Sequence, residues 1–162
     1  MPEIEFIVTI ALFTAVSLIS GLFFTFSIAV IPGLKHLTDQ ELLKTMKNIN
    51  KEILNPLFLS CFFGPFLLFP PIIYLQSANI LNLWLLIMGF VFYLSVILIT
   101  ISINVPLNNR LAFSLIQKAS RAENLKMRHL FENKWAFWNN IRTVLSVISL
   151  ILLCVSQLDS GN

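Results

Sequence analysis

Charge is scarce in this chain and is unevenly distributed. Charged residues make up 12% of the 162 residues and hydrophobic residues 57%, and the mean hydropathy is +0.83. Soluble domains contain about 25% charged residues. Residues 6–34 and 53–109 contain no Asp, Glu, Lys or Arg. These absences exclude an ordinary soluble domain and indicate an integral membrane protein.

The uncharged stretches are long enough to be read as membrane spans. A bilayer core of about 30 Å requires ~20 apolar residues in a helix, so residues 6–34 hold one span and residues 53–109 hold two. Residues 143–158 reach spanning length when the tryptophan-containing segment before them is included. We therefore predict one all-α membrane domain over residues 1–162. It is an up-down bundle of four transmembrane helices, at about residues 5–31, 55–74, 80–103 and 136–158.

Proline marks where these helices should end or bend. Pro32 and Pro106 follow the first and third spans, and we expect each to end its helix because proline removes a backbone hydrogen bond. The second span contains Pro56, Pro65, Pro70 and Pro71, and we expect it to be kinked. A membrane helix tolerates such a proline where neighbouring groups satisfy the freed carbonyl. We therefore expect neighbouring groups to satisfy the freed carbonyls of the second span.

Two capping patterns predict short amphipathic helices between the spans. Thr38 is followed three residues later by Glu41, and Ser120 by Glu123. In such a capping box the two side chains satisfy backbone N–H groups at the start of a helix. After Thr38 the apolar and basic positions alternate with helical spacing, which indicates a helix lying at the membrane surface.

The basic residues predict the orientation of the bundle. Ten of the eleven Lys and Arg residues lie in the two loops that follow the first and third spans. The positive-inside rule makes those loops cytoplasmic and both termini extracytoplasmic, in a cell or inner membrane. Because this rule accounts for the pI of about 9.1, nucleic acid is not an expected partner. The first apolar run is too long for a cleaved signal peptide, so we expect it to be retained.

Metal-ligating and nucleophilic residues are equally scarce. Cys61 and Cys154 lie in apolar segments, and His36 and His129 occur singly in loops. Thiolate and paired-histidine metal sites need ligands closer together in the sequence. A haem held by His36 and His129 would require the two to meet across the bundle. No phosphate loop or hydrolase motif is present, and we expect neither a metal nor another cofactor.

The eleventh basic residue, Arg142, lies inside the fourth span. Charged groups within spans are costly and usually face a bundle interior or a water-filled cavity. In a continuous α-helix Glu132, Trp135, Asn139 and Arg142 form one stripe, with Trp138 at its edge. Such a polar stripe favours the bundle interior. The alternatives are an arginine that reaches the headgroups and an interfacial belt of tryptophans.

Four asparagines lie at the cytoplasmic ends of the second and third spans: Asn50, Asn55, Asn104 and Asn108. Their position, level with Arg142, predicts a pocket that opens to the cytoplasmic half of the bundle. Each asparagine taken singly could instead cap a helix or form a hydrogen bond between helices.

The motifs at these positions resemble the anthrone oxygenase-like family of small integral membrane proteins. The resemblance rests on Ile31-Pro32-Gly33-Leu34, Met46-x-x-Ile49-Asn50 with Asn55-Pro56, Asn104-Val105-Pro106-Leu107-Asn108 and Trp135-x-x-Trp138-Asn139-x-x-Arg142-Thr143. It implies a four-helix membrane bundle. For the fungal members it also implies insertion of oxygen at the activated methylene of an anthrone, without metal or flavin.

The resemblance suggests roles for the residues of the predicted pocket. Arg142 would stabilise an anion, and Trp135 and Trp138 would stack on a flat ring. The asparagines at positions 50, 55, 104, 108 and 139 would bind and orient the substrate. The base could be Glu132, His36 or His129, and the sequence does not choose among them.

The expected partners are a hydrophobic small molecule, which is aromatic, quinone-like or a lipid, and the membrane lipids themselves. Two other functions stay open: binding of an amphiphile without turnover, and a structural membrane subunit. Self-association into a homo-oligomer is also open, since no feature of the sequence sets the number of subunits.

Overall fold

The computed structural model describes residues 2–159, which form five helices and, within that range, no strand. In chain order these are α1 (Glu3–Leu34), α2 (Asp39–Glu52), α3 (Pro56–Leu75), α4 (Ile80–Ala112) and α5 (Arg121–Leu158). All except α2 are long and apolar enough to cross a membrane. The predicted all-α membrane fold with four spanning helices is confirmed.

The four long helices pack as a ring in which α1 and α4 each contact both α3 and α5. Apolar side chains from all four fill the centre, among them Leu12, Phe69, Leu86 and Leu153, each fully buried. Many large apolar side chains instead point outward, as expected where lipid tails replace water. The helical backbone follows from the same environment, because a bilayer offers no partner for an unpaired N–H or C=O group.

The proline inside α3 is compensated by a neighbouring helix. Pro65 has no N–H to offer the carbonyl of Cys61, one turn earlier. The hydroxyl of Tyr93, on α4, donates to the carbonyl of Phe62 at 2.9 Å and lies 3.5 Å from that of Cys61. A buried side chain thus hydrogen-bonds the stretch of backbone that the proline disrupts.

Three of the long helices extend beyond the predicted spans, and each contains a π-helical segment close to the predicted boundary that it passes. These segments are Phe26–Val30 in α1, Thr100–Asn104 in α4 and Leu130–Trp135 in α5. A π turn bonds each N–H to the carbonyl five residues back, as Val105 does to Thr100. Such local adjustments keep the backbone paired near a proline. The helices therefore continue past Pro32 and Pro106 instead of ending there.

A second apolar core lies at the ends of the long helices that carry the basic residues. The helix α2 covers this core. Its buried members include Phe26, Leu43, Met46, Phe131 and Trp135. Both predicted capping boxes are present, at Thr38 and at Ser120. The carboxylate of Glu41 accepts hydrogen bonds from the side-chain hydroxyl and from the backbone N–H of Thr38. These bonds, the hydroxyl's first, hold the pKa of the Glu41 carboxyl below its usual value.

Candidate functional site

Arg142 lies where the two apolar cores of the protein meet. Its guanidinium carbon is 4.3 Å from the centre of the Phe23 ring, which belongs to the apolar core at the centre of the four long helices. It is 5.7 Å from the ring of Trp135, which belongs to the core under α2. Only 5% of the residue is exposed, so a formally charged group is enclosed by aromatic faces.

The hydrogen bonds of Arg142 leave its charge without a counter-ion. Nη1 donates to the Thr100 hydroxyl at 3.1 Å and Nη2 to Oδ1 of Asn139 at 3.0 Å. Within residues 2–159, Nε has no partner and no carboxylate is close enough to form an ion pair with this guanidinium. A buried charge is stable where it is paired. The site can therefore accept an anion.

Asn139 is held in one orientation by α1. Its Nδ2 donates to the carbonyl of Phe23 at 3.1 Å and to the hydroxyl of Ser27 at 2.9 Å. The Ser27 hydroxyl is also 3.0 Å from that of Thr143. With both N–H groups of the amide engaged, its oxygen points to Arg142. The network joins α1, α4 and α5 beside two of the π-helical segments.

A cavity of about 70 Å³ lies beside Arg142, and the link between α2 and α3 forms part of its wall. Five of the predicted site residues line it: Asn50, Asn108, Trp135, Asn139 and Arg142. The other lining residues are apolar apart from Thr100. Arg142 is the one ionisable side chain among the described residues of this lining, so the cavity is apolar with a single positive charge.

The tryptophan wall of the cavity is fixed from two sides. Nε1 of Trp135 donates to Oδ1 of Asn108 at 2.8 Å. Its ring stacks on Phe131, with centres 6.2 Å apart and planes 18° from parallel, and is tilted against Phe26. Asn50 also lines the cavity, and its buried Nδ2 has no partner in the described chain. Asn50 therefore keeps a free donor at the cavity.

The candidate bases lie away from this cavity. The carboxylate of Glu132 pairs with Arg128 at 2.9 Å, and Arg128 also binds Asp39. His36 and His129 are exposed. Glu132 leaves the predicted stripe because residues 130–135 are π-helical. The extra residue of a π turn rotates the preceding side chains by about 100° around the helix axis, relative to their positions in a continuous α-helix.

Three more of the predicted residues do not line the cavity. Asn55 caps α3, since its side-chain oxygen accepts from the N–H of Phe58 at 2.9 Å. Trp138 packs edge-on against Phe137. Asn104 is 1% exposed, and neither atom of its amide has a partner within the described residues.

Sequence reasoning missed the partners that hold Arg142 and Asn139, namely Phe23, Ser27 and Thr100. A usable signal exists for two of them. Ser27 and Thr100 are polar residues inside uncharged spans, each within two helical turns before a proline.

Within residues 2–159, no group of three His, Cys, Asp or Glu side chains could hold a metal ion.

Comparison with known proteins gives one match. The family model described as anthrone oxygenase matches residues 43–152, which is more than half of the chain and includes all five lining residues that the sequence predicted. No curated protein and no solved structure matches. The chain belongs to the anthrone oxygenase family.

Proposed function

We propose that this protein oxygenates a flat, hydrophobic aromatic or quinone-type molecule, and that it binds the ionised form of that molecule beside Arg142. The observation that carries the proposal is a buried guanidinium that has no carboxylate partner in the described chain and lines an aromatic cavity. A preorganised cation in a water-poor site stabilises a developing anion far more than the same cation in water does.

The reaction needs no external reductant. A ring methylene flanked by carbonyl and aromatic groups loses one proton and becomes an enolate that resembles a phenolate. The enolate gives one electron to O₂, and the two radicals combine into a peroxide. The peroxide anion takes up one proton in place of the proton released first, and loss of water from this hydroperoxide breaks the second C–H bond and leaves a carbonyl. One oxygen atom of O₂ enters the product and the other leaves as water, so the balance is CH₂ + O₂ → C=O + H₂O.

Arg142 is assigned two effects in this sequence. It lowers the pKa of the bound substrate, because an adjacent positive charge favours the ionised form. It also holds the negative charge while the electron passes to O₂. Since no carboxylate, imidazole or amine of the described residues lines the cavity, the proton is assigned to water. Asn50 offers its unpaired N–H to a second substrate oxygen.

Substrate entry requires the cavity to open. A volume of about 70 Å³ holds a few water molecules and not a ring system. Ile53 and Leu54, in the link between α2 and α3, line the cavity, and Leu54 is 65% exposed. Outward movement of this link would admit a flat molecule between Trp135 and Phe58 without disturbing the Arg142 network.

A second function, binding of an anionic amphiphile without turnover, is favoured by one observation. The described lining contains no carboxylate, imidazole, amine or thiol, so the cavity supplies binding groups and no side-chain base. Under this alternative the same residues contact the ligand, and O₂ uptake would not exceed the spontaneous rate.

The test compares Arg142→Gln with Lys134→Gln, which removes an exposed charge away from the cavity. Oxygen uptake with an anthrone-type substrate is measured on the purified protein in detergent. Loss of one stabilising donor at an oxyanion costs about 10²–10³-fold in turnover. We expect that loss for Arg142→Gln and an unchanged rate for Lys134→Gln. Substrate binding without uptake above background would favour the alternative, and equal binding by both variants would overturn both functions.

A further inference from the structure

We propose that the loop joining α4 to α5, residues 113–120, forms with its neighbouring basic side chains a binding site for an anionic phospholipid. This surface is separate from the cavity beside Arg142. It encloses a second cavity of about 600 Å³. Three cations line this cavity, Arg110, Lys118 and Lys126, together with the apolar side chains of Leu115, Met127 and Leu130.

Three cations and one carboxylate line this site, which leaves it with a net positive charge. The one carboxylate in its lining, that of Glu123, accepts hydrogen bonds from the N–H and the hydroxyl of Ser120 at 2.7 and 2.8 Å. No carboxylate of residues 2–159 forms an ion pair with any of the three cations. Their positive charge is therefore available to a phosphate group, with which Lys and Arg form strong charge-assisted hydrogen bonds.

The loop is anchored in one position. Ile116 is buried in the core under α2, and its carbonyl accepts from Nδ2 of the buried Asn124 at 3.0 Å. The ammonium group of Lys47 donates to the carbonyl of Ser114 at 3.2 Å. This anchoring leaves Phe113 and Leu115 exposed by 85% and 69%. Exposed apolar side chains beside cations are typical of a membrane interface.

The lipid-facing surface of α4 leads to this site. Ile101 and Val105 are exposed on α4, one turn apart, and the exposed Phe113 directly follows the end of this helix. Acyl chains that follow this face would bring a phosphodiester to Arg110 and Lys118. A free phosphate would use the cations and leave the apolar lining unused. The combination of both features therefore fits a phospholipid better than a soluble anion.

The test measures lipid binding to the purified protein in detergent by native mass spectrometry, with phosphatidylglycerol and phosphatidylcholine as the probes. The site variant carries Arg110→Gln, Lys118→Gln and Lys126→Gln. Its matched control carries Arg121→Gln, Lys51→Gln and Lys134→Gln. The control removes the same number and kinds of exposed charge outside this cavity.

We expect the unmodified protein to prefer phosphatidylglycerol. The site variant should lose about tenfold in that affinity, the equivalent of ~1.4 kcal/mol, while the control changes less than twofold. Equal losses in both variants, or no preference between the two lipids, would overturn the proposal. Displacement of phosphatidylglycerol by millimolar inorganic phosphate would also overturn it, because it would indicate a site for soluble anions.

A second pair of variants keeps the test valid if a triple variant does not fold. Lys118→Glu reverses one charge inside the site, and Lys134→Glu reverses one outside it. Helix content by circular dichroism and a single gel-filtration peak establish folding of each. Weaker phosphatidylglycerol binding in Lys118→Glu alone supports the site. Equal binding by the two variants contradicts it.

Discussion

The guanidinium of Arg142 donates to the side-chain oxygen of Asn139, one helical turn earlier, at 3.0 Å. Since the other end of that amide is bound to α1, the asparagine presents a neutral acceptor in a fixed direction. A carboxylate at the same place would neutralise the arginine. The choice of Asn over Asp thus preserves a positive charge for a ligand.

This relationship predicts the effect of Asn139→Asp. The new carboxylate should pair with Arg142 and weaken the binding of an anionic aromatic ligand by about 10–100-fold, since a competing charge pair is worth ~1.4–3 kcal/mol. Isothermal titration with the ionised ligand measures the change. Asn140→Asp is the control, because it adds the same charge at the neighbouring, exposed position. Equal weakening in both variants would contradict the assigned pairing.

A second prediction concerns the hydrogen bond from Trp135 to Asn108. Trp135→Phe keeps an aromatic wall but removes the donor, leaving the oxygen of Asn108 unsatisfied. We expect a loss of about 1–3 kcal/mol in the free energy of unfolding, measured by denaturation in detergent. Trp138→Phe is the control, since that ring lies outside the cavity. A loss as large in the control would mean that ring size and not the hydrogen bond determines stability.

The ion pair of Glu132 with Arg128 allows a test of the candidate base. Both side chains are partly exposed, so Glu132→Gln should cost less than about 1 kcal/mol of stability. We expect turnover per folded molecule to change by less than about twofold, because proton transfer by a positioned base would be worth 10²–10⁴-fold. The measurement is oxygen uptake normalised to folded protein. A loss of turnover in that larger range would instead identify Glu132 as the base.

The sequence predicted the number of spans but not how far α1, α4 and α5 continue at their basic ends, and the reason is physical. A span is defined by ~20 residues that must bury apolar surface in lipid, which the uncharged stretches show directly. Where a helix ends near Pro32 or Pro106 depends on whether a π turn can pair the backbone there. That depends on neighbouring helices, and a single sequence does not show it.

The candidate site was predictable where the helix is regular. Asn139 and Arg142 lie in α-helical geometry, and their spacing placed them together. Glu132 was expected on the same stripe under the assumption of a continuous α-helix. The π-helical segment before Ala136 changes that register. Partners on other helices depend on tertiary contacts, and Phe23 carried no local signal.

A further prediction follows from the capping box at the start of α2. The pKa of Glu41 is lowered in the folded protein by the hydrogen bonds from Thr38. Its contribution to stability is therefore present above the unfolded value, near 4.5, and is lost as the pH falls through the folded value. The difference in unfolding midpoint between the unmodified protein and Glu41→Gln should shrink as the pH is lowered from 6 to 3. Glu52→Gln, at the other end of α2, is the control, and a difference that stays constant with pH would contradict the assignment.

The contact between Tyr93 and the carbonyls near Pro65 predicts a coupling between two helices. Tyr93→Phe removes the donor and should cost about 1 kcal/mol, in the range of hydrogen bonds measured inside membranes. Pro65→Ala restores an N–H for the carbonyl of Cys61, so the hydroxyl should matter less in that background. A double-mutant cycle on the unfolding free energy measures the coupling. Additive effects would mean that the tyrosine hydroxyl does not compensate for the proline, and α3 would then tolerate Pro65 by other means.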